Sequence, residues 1–259
     1  MWKPSCNNLC DLFQTASHSN FLVLSLAVAD LLVGLLVFPL NMVFTVTLCL
    51  FQRSIFCDVR NFFDTLLCIS SILNLCCISI DRYYAVCQPL TYRTKINNRV
   101  VVVMILVIWG AATVISMIRN VSGSNTCDDE ICLIYKKVAN FLILVLALYL
   151  PVIIMLCIYL KIFLVAQKQA HSIQNTKSGA TVSKMERKAT KTLAVVMGVF
   201  LLCWLPYFLC ISILASRKVR VPLPVTETLI WVSLSNSMLN PFIYAFFFFF
   251  TAGSNQLLN

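Results

Sequence analysis

Two charged sites share one apolar stretch of this chain. Between Cys57 and Pro89 it reads CDVRNFFDTLLCISSILNLCCISIDRYYAVCQP, and from Asn61 to Ile80 the run is almost wholly apolar, with one carboxylate, Asp64. Asp81-Arg82-Tyr83 follows 17 residues later. On a helix rising ~1.5 Å per residue the two sites lie roughly 25 Å apart, nearly the ~30 Å thickness of a hydrocarbon core. One helix then carries an acid near one membrane face and an acid–arginine pair near the other. A carboxylate inside a membrane helix is costly and marks a functional site by default. Asp64 keeps its charge only beside a cation or in a wet cavity. The alternatives are an acid buried neutral or one paired with a neighbouring helix, and no other span carries an interior Lys or Arg to pair with it.

The elements that must position these groups are long apolar blocks. Of the 259 residues 60% are hydrophobic and 12% charged, too apolar for a soluble domain. The net charge of +10 fits Lys and Arg in cytoplasmic loops rather than a nucleic-acid surface. Most of the cysteines sit inside apolar spans, where the side chain behaves as a small hydrophobe. No CxxC or His cluster points to a metal, and the recognisable chemistry is binding and switching rather than catalysis.

Six charge-poor blocks are long enough to span a bilayer as helices. They run from about Phe21 to Leu48, along the Cys57–Pro89 stretch, between Arg99 and Arg119, between Lys137 and Lys161, between Lys191 and Arg217, and from Glu227 to about Phe250. The expected division is a polar segment 1–20, a helix bundle 21–250 and a short tail 251–259. The loop before the fifth block carries Lys161, Lys168, Lys177, Lys184, Arg187, Lys188 and Lys191 against the single acid Glu186, which places it in the cytoplasm. The loop before the fourth block then faces outside, and there Asn120-Val121-Ser122 is a glycosylation sequon.

Cys57, Asp64 and Asp81-Arg82-Tyr83, continued by Tyr84-Ala85-Val86-Cys87-Gln88-Pro89-Leu90, resemble the third helix of an amine-binding rhodopsin-like G-protein-coupled receptor. The wording is most similar to trace amine-associated receptors, with serotonin-type biogenic amine receptors next. The resemblance runs from about Phe13 to Phe247. It implies an all-α, multi-pass transmembrane bundle with six spans of a seven-helix plan, the first helix being absent upstream of Leu12-Phe13-Gln14-Thr15-Ala16-Ser17.

The resemblance also implies roles. The acid matching Asp64 binds a ligand ammonium, with Cys68 one turn on. Trp204, Tyr207 and Phe208 in CWLPYF form an aromatic wall, and Leu234 stands where many relatives carry a tyrosine, removing one hydrogen-bond donor from Asp64. Ile143, Leu144 and Ala147 stand where catecholamine receptors carry hydroxyls, so a phenolic ligand is disfavoured. Asp81, Arg82 and Tyr83 hold the resting state and then meet a heterotrimeric G protein, with Glu186 as the partner of Arg82. Tyr159, Asn240, Pro241 and Tyr244 belong to the switch, and Pro151, Ile72 and Phe200 to the packing rearrangement behind it. Cys57 and Cys132 form the outer disulfide. Asp30, Ser71, Asn236, Ser237 and Asn240 resemble a sodium site, with a hydrogen-bonded polar core as the alternative.

The reading that follows is a cell-membrane receptor for a small amine. Two rivals stand beside it. A truncated, non-signalling product would be retained in the endoplasmic reticulum or pair with intact receptors. A transporter or channel would show an internal repeat or a polar row at the midplane, and neither is visible.

Overall fold

Proline and polar residues decide where the apolar blocks bend and stop. The computed structural model describes residues 20–47, 55–124, 130–173, 195, 198–210, 212–213 and 222–256. They fall in two compact units, Met1–Lys177 and Ser178–Asn259.

In the first unit α1 covers residues 20–47, α2 is Ile55–Cys87, α3 is Pro89–Lys95, α4 is Asn98–Ser124 and α5 covers residues 130–173. Among the described residues four helices are long and apolar enough to cross a membrane: Asn20–Val43, Ile55–Ala85, Asn98–Val121 and Val138–Val165. α2 is 61% buried over its most apolar window, against 39% or less in the other three, so it is the column around which they pack. α4 and α5 both lie along it. Leu66, Leu73 and Ile69 of α2 meet Ala112 and Ile115 of α4 and Ile143 and Ala147 of α5. The outward faces stay apolar, with Leu31, Leu35, Leu106, Val107, Leu146 and Leu160 exposed, as surfaces solvated by hydrocarbon must be.

α1 and α5 each contain one π-helical turn, Val33–Val37 and Val145–Tyr149. Each turn ends two residues before a proline, Pro39 and Pro151. Proline lacks an N–H and its ring crowds the carbonyl four residues back. The widened turn relieves that crowding. The N–H of Phe38 reaches back to the Val33 carbonyl and that of Leu150 to the Val145 carbonyl, one residue further than an α-helical bond.

The short helix α3 lies in a loop where the apolar pattern gives no signal. Pro89 opens it at a position where the missing N–H costs nothing. Asn97 then caps α4, its Oδ1 accepting the Val100 N–H at 3.0 Å. Polar residues inside the spans bond locally: Ser70, Ser79 and Ser116 each donate to the carbonyl four residues back. Trp109 Nε1 of α4 donates to Ser25 Oγ of α1 at 3.1 Å.

The second unit contains α6, Gly198–Cys210, and α7, Leu223–Gln256. α7 starts before Glu227 and continues past Phe250, beyond both ends of its apolar block. Cys203 Sγ of α6 and Ser235 Oγ of α7 approach to 3.8 Å.

Candidate functional site

At its outer end α2 presents a charge pair. Arg60 precedes Asp64 by four residues, so the two side chains stack on one helix face. Arg60 Nε lies 3.5 Å from Asp64 Oδ2, with the arginine side chain 6% exposed and the aspartate side chain 24%. Asn41 of α1 joins them. Its Nδ2 donates to Asp64 Oδ1 at 3.0 Å and to the Val37 carbonyl at 2.9 Å. Its Oδ1 accepts from Arg60 Nε at 2.9 Å and from Nη2. The amide oxygen therefore faces a group that can only donate, and the nitrogen faces groups that can only accept. This fixes the orientation of the amide.

The sequence reading requires a cation or a wet cavity beside Asp64, and the structure places a cation there from its own helix, one turn away. Arg60 was readable as an i, i+4 partner. Asn41 was readable as a lone polar residue in an apolar span. Neither spacing, however, tells that α1 brings its amide between them.

Cys68, one turn further in, is half-buried. Ile143 and Leu144 are partly exposed on α5, whereas Ala147 is 3% exposed and packs against Ile69 and Ala112 in the core. Asn120 sits in the last turns of α4, and its Nδ2 donates to the Asp58 carbonyl of α2 at 2.9 Å. The Cys57 position opens α2; the side chain of Cys132 lies outside the described residues, as does all of Glu186.

The inner end of α2 carries the second constellation. Asp81 is fully buried. Its Oδ2 accepts Arg82 Nη2 at 2.8 Å and Nε at 3.1 Å, while its Oδ1 accepts the Tyr92 hydroxyl at 2.8 Å. Burial and the adjacent Asp81 carboxylate push the Tyr92 phenol well above its ordinary value of 10.0, so it stays protonated and donating. Tyr92 stands on α3, outside the apolar blocks, and the sequence alone offered no reason to single it out. Ser79 Oγ of α2 and Tyr159 Oη of α5 approach to 3.4 Å. Lys161 Nζ of α5 stands 6.0 Å from the centre of the Tyr83 ring. Ile72 of α2 and Pro151 of α5 are buried.

Of the cation-binding candidates, Asp30 and Ser71 are buried on α1 and α2. The Ser71 hydroxyl has no hydrogen-bond partner among the described residues. A carboxylate and an unengaged hydroxyl oxygen fit a hard monovalent cation. In the second unit Asn236, Ser237 and Asn240 are likewise buried along α7, with Asn236 Oδ1 unpaired among the described residues, and Leu234 is buried beside them in sequence. The side chains of Pro241 and Tyr244 lie outside the described residues.

On α6, Phe200, Trp204 and Phe208 follow one another at intervals of four and are buried. Trp204 stacks on Phe208 with ring centres 5.4 Å apart and lies 6.2 Å from Phe200. Tyr207 meets Trp204 edge-on at 6.1 Å. Phe200, expected only as a packing residue, is thus continuous with the Trp204 ring stack.

These helices, the Asp81-Arg82 pair and the Pro-interrupted spans meet one established pattern. The pattern of the 7 transmembrane receptor (rhodopsin family) matches residues 12–244. The chain belongs to the rhodopsin-family seven-transmembrane receptors. This family consists of receptors, not enzymes. Within it, the receptor is similar to trace amine-associated receptors. It is 39% identical to trace amine-associated receptor 1 of Macaca mulatta over 257 residues, covering 91% of this chain and 76% of that one. It is 38% identical to trace amine-associated receptor 4 of Mus musculus, covering 91% and 74%, and 39% identical to trace amine-associated receptor 5 of Homo sapiens, covering 88% and 71%.

Proposed function

We propose that this receptor acts in the cell membrane, binds a small amine through the Asp64 carboxylate at the outer end of α2, and signals to a heterotrimeric G protein through the Asp81-Arg82-Tyr83 end. The observation that carries the reading is Asp64 itself. It is an acid inside a membrane span, held by Asn41 and Arg60, with a quarter of its side chain still open. The names of the similar receptors tie them to trace amines. The side chains of Ile143 and Leu144 carry no hydrogen-bonding atom, which favours amines without phenolic hydroxyls, since an unmet hydroxyl costs about 1–3 kcal/mol.

The test uses the receptor in cells, with surface display and G-protein signalling read together. Asp64→Asn is expected to lower the potency of 2-phenylethylamine by roughly a hundredfold or abolish the response, because a charge-assisted bond is lost. The double variant Asp64→Asn/Arg60→Gln removes both charges, so it controls for a stranded arginine. Dopamine is expected to be weaker than 2-phenylethylamine. Normal amine potency in both Asp64 variants would refute the reading.

A further inference from the structure

We propose that a groove between the inner halves of α2 and α4 binds an acidic phospholipid of the cytoplasmic leaflet, with one acyl chain along the groove and the headgroup anion on Arg99. The site is separate from Asp64 and does not depend on the amine reading.

The groove follows from side-chain size and spacing. Leu73 and Cys77 share one face of α2, and Val103, Met104 and Val107 share the facing stripe of α4. Cysteine is small, and the two stripes leave a cavity of about 410 Å³ between them, within the ~300–1,000 Å³ usual for ligand sites. Toward the outside the gap closes, where Ile69 of α2 packs with Ala112 of α4. Arg99 and Ile108 mark its two ends on α4, roughly 13 Å apart on a helix rising ~1.5 Å per residue. That is close to the ~15 Å depth of one leaflet, half of a ~30 Å hydrocarbon core. A groove of this depth takes an acyl chain lengthwise.

The charge at the mouth decides which lipid. Arg99 is the single charged residue of the lining. It is exposed, and its side chain forms no ion pair among the described residues. Its sequence neighbourhood offers no acid to neutralise it. From Arg82 to Cys127 the chain holds no Asp or Glu, while Arg93, Lys95 and Arg99 gather around the start of α4. This end lies on the cytoplasmic side, with Asp81-Arg82, where the leaflet is anionic and basic pockets between helices take acidic headgroups. A planar guanidinium holds two phosphate oxygens at once. A sterol would offer it only a neutral hydroxyl. On α2 the groove ends one turn before Asp81, so the bound chain packs against the segment that leads into Asp81-Arg82.

The experiment places the purified full chain in phosphatidylcholine nanodiscs with a minor share of phosphatidylserine that carries a diazirine in one acyl chain. After irradiation the labelled peptides are read by mass spectrometry. Label is expected on residues 73–77 and 100–108, well above that from phosphatidylcholine tagged in the same way. Label on the exposed α5 face around Leu160 and Phe163 is the internal standard. Arg99→Gln is expected to lower groove labelling by phosphatidylserine roughly fivefold, the effect of one basic residue at a membrane surface. Labelling by phosphatidylcholine and at the standard should stay as it was. Val103→Phe keeps Arg99 and narrows the groove from its exposed side, so labelling there by both lipids is expected to fall. Excess glycerophosphoserine, a headgroup without chains, should not compete. Equal groove labelling by the two lipids, or phosphatidylserine labelling that survives Arg99→Gln, would overturn the proposal. So would labelling that Val103→Phe leaves intact or that glycerophosphoserine abolishes, since the headgroup alone would then be held.

Discussion

The two oxygens of Asp81 have separate partners, Arg82 on one side and Tyr92 on the other. A fully buried carboxylate needs both. Removing the Tyr92 hydroxyl takes a donor from one buried oxygen, at a cost of about 1–3 kcal/mol. Tyr92→Phe is therefore expected to lower the thermal stability of the purified receptor, and to raise basal signalling as the Asp81–Arg82 pair loosens. A melting temperature and basal activity equal to wild type would show that the bond contributes nothing. The same bond gives a pH expectation. Because the phenol is raised above its unfolded value of 10.0, its contribution is complete below pH 10 and is lost only as pH climbs beyond. Stability in the neutral range should not respond to this group.

At the scale of the helix, the π turn of α1 aims Asn41. One extra residue in a turn rotates everything beyond it by about 100° relative to an unbroken α-helix. Pro39 favours the wide turn because it has no N–H to give to the carbonyl four residues back. Pro39→Ala restores that donor and makes a regular turn competitive, which would swing Asn41 away from α2. The expected result is a lost interaction, measured as a double-mutant cycle between Asn41→Ala and Arg60→Gln in thermal stability. With Pro39 in place the coupling should be roughly 1 kcal/mol or more; in the Pro39→Ala background it should vanish. Coupling that survives would mean that the surrounding packing, not proline, holds the turn.

For the whole molecule, α2 matters because it carries both constellations on one stiff element and is the most buried of the four described spans. Its outer end begins at Ile55, two residues before Cys57. A bridge from Cys57 to Cys132 would tie that end to the start of α5 and close a long loop through α4, a cross-link that typically stabilises by about 2–4 kcal/mol. Non-reducing mass spectrometry of the mature receptor is expected to find the Cys57–Cys132 peptide pair. Cys57→Ala should reduce surface display severalfold. Two free thiols in displayed receptor would contradict this.

By itself the sequence determined the long apolar helices and the family, though not the short helix α3. Long apolar blocks leave few options in a bilayer, because only helices satisfy every backbone group internally in a single segment. Asp64 and Asp81-Arg82 were visible as charges because their surroundings are apolar. The Asn97 cap and the Pro89 helix start follow local rules of capping and of proline. Only the tertiary structure decided what those charges touch. Asn41 reaches Asp64 across two helices, Tyr92 reaches Asp81 from a loop helix, and Trp109 reaches Ser25 across the unit. Such contacts depend on helix rotation, which a single π turn changes by a whole residue and which hydropathy does not record. Ala147 shows the same limit: its spacing on α5 marks a position, but packing against Ile69 and Ala112 decides that it lies in the core.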